Sequence, residues 1–299
     1  AGLAAAYFLA RGGVKVTLFE KEEKMGGVVR NVIPGFRISD SAIDNDVKLV
    51  AAMGVEMVNG KEITDIEALK KDYDYVVLAV GASEQGVLKL EAGDTMNALD
   101  FLARFKATEG KVELGKNVVV IGGGNTAMDT ARAAKRNAGV EKVSLVYRRT
   151  RRYMPADEEE LVMAVEDGVE FAELLAPVKL ENGVLYCKKM VLGDMDASGR
   201  RGVVETDETV EVPADTVIAA VGEKVPGAFY ESFGIALDSR RRPQVNQETL
   251  ETSVKGVYVA GDGLYGPATV VEGIRDGKMA AEAIIGKALA EDLFKLSDA

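Results

Sequence analysis

The chain has 299 residues, the length of about two domains. Hydrophobic residues make up 47% and charged residues 28%, an ordinary mix for a protein with a sizeable core. The formal net charge of −11 argues against a general nucleic-acid binder, because the phosphates would be repelled. The absence of histidine and the single cysteine, Cys187, exclude Ser-His nucleophiles, internal disulfides and CxxC redox pairs, and they predict no metal site. With no apolar run near the roughly 18 residues of a membrane span and no basic signal region, we expect a cytoplasmic protein.

Strands and helices alternate along the sequence. In chain order, we expect a helix over 2–10, a strand over 14–19, a helix over 41–53, strands over 75–80 and 117–121, a helix over 126–136, a strand over 142–147, a helix over 156–166, strands over 216–221 and 256–260, and a helix over 269–290. Several strands are apolar on both faces, which predicts parallel, doubly wound sheets covered by helices on both sides. The segment 178–212 indicates short antiparallel strands, broken at 182–183 and at 196–201, and we expect it to be an antiparallel crossover piece attached to one of the sheets.

The first helix has no strand before it. A helix that feeds a parallel strand normally follows a strand of its own, so we expect a fragment that begins just inside a strand–turn–helix unit. If Gly2 is the third glycine of a Gly-x-Gly-x-x-Gly turn, Glu20 stands where an acid that binds a ribose belongs. Taken alone, Glu20 is more often an ordinary charged strand end.

A second strand–turn–helix unit is complete. The strand 117–121 runs into Gly122-Gly123-Gly124-Asn125-Thr126-Ala127, a Gly-x-Gly-x-x-Ala turn. Gly122 permits the tight turn, Gly124 lets the backbone approach a pyrophosphate, and Ala127 allows close contact between helix and strand. The helix N-terminus would present unpaired N–H groups to the phosphates. The structural alternative is a tight glycine turn that binds no nucleotide.

The following strand ends in arginines. An NAD site carries an acid about 20 residues beyond the glycine motif, but this chain has Arg148 and Arg149 there. Guanidinium groups bind a 2′-phosphate, so the position of Arg148 favours NADPH over NADH. Arg151 and Arg152 extend the cluster, and for them a solvated basic loop is an equally good interpretation.

An ordered series of motifs resembles a known group of flavoproteins. The series comprises Met25-Gly26-Gly27, IPGFRI at 33–38, Val80-Gly81-Ala82, GGGNTAMD at 122–129, Tyr147-Arg148-Arg149, Met154-Pro155-Ala156 and VYVAGD at 257–262. It is similar to the two-dinucleotide-binding flavoproteins with a pyridine nucleotide-disulfide reductase-like fold. Within them it resembles the glutamate synthase small (β) subunit, the flavin/NADPH part of dihydropyrimidine dehydrogenase and, most of all, subunits that carry the name selenate reductase.

The resemblance implies an FAD site and an NADPH site. The residues implied for FAD are Gly2 and Leu3 under the pyrophosphate, Glu20 with Lys21 at the ribose, Gly26 and Gly27 at the nearby turn, Arg37 close to the flavin, Gly81 and Ala82 at the adenosine-diphosphate portion, Gly261 and Asp262 at the ribityl chain, and Thr269 and Val270 at a helix start that points to the flavin N1/O2 edge. Those implied for NADPH are Gly122, Gly124, Asn125, Thr126, Arg148 and Arg149, with Gly222 at a second crossing loop. Met154-Pro155-Ala156 matches the family without a role that we can derive.

The implied fold is α/β, with two Rossmann-like dinucleotide-binding domains and an N-terminal truncation. We expect a discontinuous FAD-binding domain over 1–105 plus 226–299, with the NADPH-binding domain at 106–225 inserted and hydride transfer in the cleft between them. The cofactors carry the chemistry, so no catalytic side chain is expected. One cysteine cannot form a disulfide-reductase pair, so electrons would leave through iron–sulfur clusters outside this chain, in another domain or a larger reductase subunit.

Two other interpretations remain open. A nucleotide-binding but catalytically silent assembly module would bind NADPH without bleaching added flavin. A free-standing monooxygenase would consume oxygen with a substrate, and a ferredoxin reductase would reduce ferredoxin with no other subunit. The fold alone does not separate these, since one fold hosts many chemistries.

Overall fold

The computed structural model describes residues 1–195 and 199–297, with side chains as far as Glu291. The helices are α1 (Gly2–Arg11), α2 (Gly27–Asn31), α3 (Asp40–Ala52), α4 (Ile66–Asp72), α5 (Ala98–Ala107), α6 (Asn125–Arg136), α7 (Glu158–Glu166), α8 (Gly227–Ser232), α9 (Asp262–Tyr265) and α10 (Val270–Ser297), with a 3-10 helix at Arg151–Tyr153. The strands are β1 (Thr17–Phe19), β2 (Glu56–Val58), β3 (Val76–Leu78), β4 (Glu84–Gln85), β5 (Met96–Asn97), β6 (Asn117–Ile121), β7 (Lys142–Tyr147), β8 (Glu170–Glu173), β9 (Leu175–Glu181), β10 (Val184–Met195), β11 (Arg201–Pro213), β12 (Thr216–Ala219), β13 (Glu223–Lys224) and β14 (Val257–Val259).

The chain forms two compact units. The first unit comprises residues 1–30, 39–84 and the chain from 223 onward, and the second comprises 31–38 and 85–222. Each unit has its own buried apolar clusters.

The first unit contains two parallel strand pairs. β1 pairs with β2, and β3 pairs with β14. Small residues let α10 approach the start of α1 closely, because a Cβ atom placed on Gly277 would lie 2.4 Å from the carbonyl oxygen of Ala1. Leu78 and Tyr258, from the two paired strands, are buried in one cluster with Leu9 of α1 and Ala281 of α10.

The second unit is built on a five-stranded sheet in the order β5-β12-β6-β7-β8, with parallel pairing throughout. Alternate residues of β6 pack into two different buried clusters, because successive side chains of a strand point to opposite faces of the sheet. Val118 and Val120 belong to the cluster that contains Phe101 of α5 and Met128 of α6. Val119 and Ile121 belong to the cluster formed with the antiparallel sheet β9–β10–β11. The expectation of helices on both faces is therefore wrong for this sheet, because an antiparallel sheet covers one face.

Most of the predicted elements are present. β6 and β7 have the predicted bounds, and the predicted helices at 2–10, 41–53, 126–136 and 156–166 start within two residues of α1, α3, α6 and α7. The antiparallel segment and its turn at Asn182-Gly183 are also confirmed. The other predicted turn, at 196–201, includes residues outside the described part of the chain.

The compact units differ from the domain bounds expected from the sequence. The sequence predicts residues 85–105 in the FAD-binding domain, but Phe101 and Leu102 of α5 are buried in the core of the second unit. The segment 31–38 also groups with the second unit, and residues 223–225 group with the first. Among the described residues, no helix has the length and apolar character needed to cross a membrane, and no cluster of acidic and cysteine side chains is suited to a metal.

Candidate functional site

The glycine turn between β6 and α6 has the close contacts that its sequence predicts. A Cβ atom on Gly122 would lie 2.4 Å from the carbonyl oxygen of Ala220 and 3.0 Å from Cβ of Ala127. Gly122 is therefore required by the packing of β6 against β12, and Ala127 is the small residue that lets α6 approach. A Cβ atom on Gly124 would meet no atom within 4 Å, so the backbone there faces open space.

The start of α6 at Gly124 has no side-chain cap. The first N–H groups of a helix lack intrahelical acceptors, and they favour an anion such as a phosphate. Asn125 does not cap them, since its side chain is engaged with Asp157. Asn125 Nδ2 donates to Asp157 Oδ2 at 3.2 Å, and the Asp157 backbone N–H donates to Asn125 Oδ1 at 3.0 Å. Among the described residues, no side chain therefore caps the first N–H groups of α6.

The segment Met154-Pro155-Ala156, which had no derived role, supports this turn. The Ala156 N–H donates to the carbonyl oxygen of Gly123 at 3.0 Å. The ring of Tyr147 lies over the same glycine, because a Cβ atom on Gly123 would be 2.4 Å from Tyr147 Cε2. The Tyr147 hydroxyl donates to the carbonyl oxygen of Tyr153 at 2.8 Å. The middle glycine is therefore as tightly packed as Gly122, whereas Gly124 is open, and the sequence pattern does not reveal this.

The arginines after β7 have different environments. Arg148 is exposed, and no hydrogen bond or ion pair of its guanidinium is present among the described residues. Arg149 Nε donates to the carbonyl oxygen of Arg201 at 2.8 Å. Arg151 pairs with Glu158 at 2.5 Å, and Arg152 lies 6.0 Å from the ring centre of Tyr153. Of these four arginines, Arg148 is the one for which no side-chain contact is present among the described residues.

In the first unit, several predicted residues lie at the carboxyl ends of the parallel strands. A Cβ atom on Gly2 would lie 3.4 Å from Cβ of Ala79 and 3.6 Å from Cδ1 of Leu18, so α1 begins where β1 and β3 end. Leu3, in the first turn of α1, packs against the cluster that contains Val50 and Val55. Glu20 is half-buried at the end of β1, and its Oε1 accepts the Glu22 N–H at 3.1 Å, whereas Lys21 is exposed.

The turn at Gly26 and Gly27 is held by an arginine that sequence reasoning missed. Both glycines have positive φ, at 132° and 54°. Arg30 is only 6% exposed, and it donates from Nε to the carbonyl oxygen of Met25 at 2.5 Å and pairs with Asp44 at 2.6 Å. A Cβ atom on Gly26 would lie 2.8 Å from Cβ of Arg30. The spacing of Arg30 and Asp44 gives no local signal of this contact.

Gly81 and Ala82 follow β3, while Gly261 and Asp262 follow its partner β14. Because β3 and β14 are parallel neighbours, the loops after them meet at one carboxyl edge, where doubly wound folds bind ligands. Burial raises the pKa of Asp262 above its usual value. Burial, together with the charge of Asp262, also raises the pKa of Glu223, a residue that the sequence analysis did not single out.

The start of α10 is capped. The Thr269 N–H and hydroxyl donate to Glu272 Oε2 at 2.9 and 2.8 Å, and the Glu272 N–H donates to Thr269 Oγ1 at 3.3 Å. This reciprocal pattern is a capping box. Val270, in the first turn, is 56% exposed. The capping box gives acceptors to the N–H groups of Thr269 and Glu272, so these two groups are not free to bind an anion. A ligand would contact the other N–H groups of this turn.

Arg37 lies in a carboxylate network of the second unit. Its guanidinium pairs with Asp129 of α6 and with Glu160 of α7. Hydrogen bonding to Glu160 raises the pKa of Arg37, and burial raises the pKa of Asp129. The adjacent Phe36 ring lies 5.0 and 4.5 Å from the guanidinium carbons of Arg132 and Arg136. These contacts anchor the segment 31–38, and the predicted place of Arg37 near a flavin stays a prediction.

Both units contain residues that fit a dinucleotide. The second has an open glycine turn, an uncapped helix start and the exposed Arg148. The first has open glycine backbone at Gly27 and Gly81 and a buried hydroxyl without an acceptor among the described residues, that of Tyr230. At the remaining predicted position, Gly222, φ is 96° and the carbonyl oxygen accepts the Gly86 N–H at 2.8 Å.

Comparison with known proteins identifies the family. The family model described as pyridine nucleotide-disulphide oxidoreductase matches residues 1–277. The chain belongs to this family. The expected relationship is confirmed by the glutamate synthase [NADPH] small chain of Azospirillum brasilense, which is 35% identical over 97% of this chain and 65% of its own length. The protein named "Putative oxidoreductase YgfK" of Escherichia coli K12 is 44% identical over 96% of this chain, and the chain spans 28% of its length.

Solved structures of this fold agree with the expected architecture. The structure of Mycobacterium tuberculosis FprA in complex with NADPH superposes with a TM-score of 0.75 over 97% of this chain and 83% of that chain, at 20% identity. Such a likeness shows the fold alone. The predicted fold class, an α/β chain of two Rossmann-like dinucleotide-binding domains, is confirmed in this family.

Proposed function

We propose that this chain is an NADPH-dependent flavoprotein module that passes a hydride from NADPH to FAD. The observation that carries the proposal is the open turn at Gly124, followed by a helix start without a side-chain cap and flanked by the exposed Arg148. The glycine turn and helix start fit a pyrophosphate. Arg148 follows about 20 residues later, at the position where a dinucleotide site contacts the ribose, and it fits a 2′-phosphate.

The second unit is the proposed NADPH-binding part. Gly122, Gly124 and the N–H groups of Asn125 and Thr126 hold the pyrophosphate, while the Asn125 side chain positions the turn through Asp157. Arg148 binds the 2′-phosphate, with Arg149 beside it. We place the boundaries of this domain at 85 and 222, with the segment 31–38 attached, because those residues share its core.

The first unit is the proposed FAD-binding part. Gly2 starts the helix under the pyrophosphate, and the Glu20 carboxylate accepts hydrogen bonds from the ribose hydroxyls. Gly26, Gly27 and Gly81 let the backbone approach the nucleotide. Asp262 accepts from the ribityl chain, and the first turn of α10 after Thr269 lies at the flavin end.

These residues of the first unit would hold FAD, which would supply the chemistry of taking up a hydride and passing electrons on one at a time. This chain's residues bind and orient the two dinucleotides and need supply no acid or base. The single cysteine cannot form a disulfide redox pair, so the proposed onward route is through iron–sulfur clusters outside this chain. The name of the glutamate synthase small chain supports a role beside a partner subunit.

The experiment is an anaerobic absorbance titration of the purified chain with FAD and then with NADPH. We expect a bound flavin spectrum that NADPH bleaches at lower concentration than NADH. Binding of NADPH to flavin-loaded protein without bleaching would identify a silent assembly module instead. Bleaching followed by rapid reduction of added ferredoxin would favour a ferredoxin reductase, and binding of neither nucleotide would contradict the proposal altogether.

A further inference from the structure

A fully buried hydroxyl in the first unit lacks a partner. Tyr230, in α8, is 0% exposed, and among the described residues its hydroxyl is the one buried side-chain polar atom with no hydrogen-bond partner. Leaving a buried donor unsatisfied costs about 1–3 kcal/mol. Buried polar groups are nearly always paired, so an exception calls for a physical reason.

The hydroxyl packs against Gly263. A Cβ atom placed on Gly263 would lie 2.4 Å from the Tyr230 hydroxyl oxygen, with the carbonyl oxygen and nitrogen of Gly81 next nearest, at 3.3 and 3.4 Å. Gly263 therefore leaves the space that the hydroxyl occupies. An alanine at position 263 and a tyrosine at position 230 are incompatible without movement.

Gly81 and Gly263 belong to the loops at one edge of the first unit. They follow β3 and β14, which pair in parallel with Leu78 opposite Val259. The Tyr230 side chain extends from α8 through the core that contains Leu78 and Val259, and ends with its hydroxyl at the carboxyl edge of these strands. Ligands of doubly wound sheets bind at that edge.

We propose that Tyr230 is a positioning residue of the FAD site, whose hydroxyl donates a hydrogen bond to a ribityl or phosphate oxygen of the bound dinucleotide, directly or through one water. This rests on the proposed function, because it takes the first unit as the FAD-binding part. The ligand supplies the acceptor that the protein does not. Gly263 is required at its position because a larger residue would displace the donor.

The proposal distinguishes binding from stability. Replacing the hydroxyl by hydrogen in Tyr230→Phe removes one hydrogen bond to the ligand, which corresponds to about ten-fold weaker FAD binding. The FAD-free protein loses no hydrogen bond, so its melting temperature stays the same or rises. A merely structural tyrosine would give the opposite pattern, with lower stability and unchanged affinity.

The test measures FAD affinity by quenching of flavin fluorescence, and melting temperature with and without FAD, for the chain and for Tyr230→Phe. Tyr258→Phe is the matched control, since Tyr258 is 1% exposed in the same core and its hydroxyl contacts Lys287 instead. We expect the stabilisation by FAD to shrink for Tyr230→Phe alone. Unchanged FAD affinity, or a lower melting temperature without FAD, would overturn the proposal and leave the flavin function standing. A wild-type chain that takes up no FAD would instead overturn the flavin function itself.

Discussion

Asn125 and Asp157 hold each other through two hydrogen bonds, one from the Asn125 side-chain amide at 3.2 Å and one from the Asp157 backbone at 3.0 Å. The pair joins the first residue of α6 to the N-cap of α7, residues that are 32 positions apart. The pair holds the side-chain amide of Asn125 away from the start of α6. The backbone at Gly124 therefore stays open, and we expect it to bind an anion. A side chain inside the glycine motif thus acts by shaping the turn.

Asn125→Ala should therefore weaken NADPH binding. The change removes two hydrogen bonds around the turn, and we expect an affinity loss of about five- to ten-fold and a destabilisation of about 1 kcal/mol. Titration calorimetry with NADPH and urea unfolding measure the two effects. Asn59→Ala, at an exposed asparagine of the other unit, is the control and should change neither quantity. Full NADPH affinity in Asn125→Ala would show that the turn holds its shape without the pair.

Arg148→Ala should change the preference between the two nicotinamide nucleotides. The exposed guanidinium is the proposed ligand of the 2′-phosphate, and loss of a charge-assisted hydrogen bond of about 1.5–3 kcal/mol predicts NADPH binding weakened about ten- to a hundred-fold. NADH lacks that phosphate, so its affinity should stay the same. Dissociation constants for both nucleotides test this, with Arg240→Ala, an exposed arginine of the first unit, as the control. An equal loss for NADPH and NADH would assign Arg148 a structural role.

The sequence predicts the elements of this fold better than their contacts. β6 contains the β-branched run Val118–Ile121 and β7 is mostly apolar because both faces of each strand are buried, and such runs are visible without a structure. α5, which is absent from the predicted elements, has the apolar spacing of a helix at Ala98, Phe101 and Leu102, and its N-cap Asn97 is a signal that the sequence carries. The contacts of Ala156 with Gly123 and of Arg30 with Asp44 leave no such trace, since each joins residues that only the tertiary fold brings together.

Arg37→Ala should destabilise the second unit. The side chains of Arg37, Asp129 and Glu160 are 24%, 16% and 14% exposed. Removing the guanidinium therefore leaves two largely buried carboxylates without Arg37, and Glu160 keeps only the longer ion pair with Arg132, at 3.9 Å. We expect a loss of about 1–3 kcal/mol in the free energy of unfolding, between the values for exposed and buried pairs. Urea unfolding measures it, and Lys116→Ala, which breaks the exposed pair with Glu141, should cost less than about 1 kcal/mol. If Arg37→Ala had wild-type stability but bound FAD more weakly, Arg37 would act in the cofactor site and would not be needed to stabilise the second unit.

Cys187 should be inert in the folded protein. The side chain is 0% exposed, and burial raises the pKa of its thiol to about 11, so little thiolate forms at pH 8. An aromatic disulfide reagent should label almost no thiol at pH 8 in the native protein and one equivalent after denaturation, because the chain has one cysteine. The labelling rate should rise as the pH approaches 11. Fast labelling of folded protein at pH 8 would contradict the burial of β10 under the parallel sheet.

Gly263→Ala and Tyr230→Phe should show strong coupling in stability. The added methyl group of Gly263→Ala would lie 2.4 Å from the Tyr230 hydroxyl, and overpacking of this kind typically costs about 1–3 kcal/mol. In the double variant the hydroxyl is gone, and the nearest of the remaining neighbours is the carbonyl oxygen of Gly81 at 3.3 Å, so most of the lost stability should return. Urea unfolding of the two single variants and the double variant gives the coupling free energy. Gly263→Ala with Tyr258→Phe is the control pair, for which the two effects should simply add. Additivity for Gly263→Ala with Tyr230→Phe as well would mean that the hydroxyl does not occupy the space beside Gly263, and the donor that we assign to the FAD site would not be there.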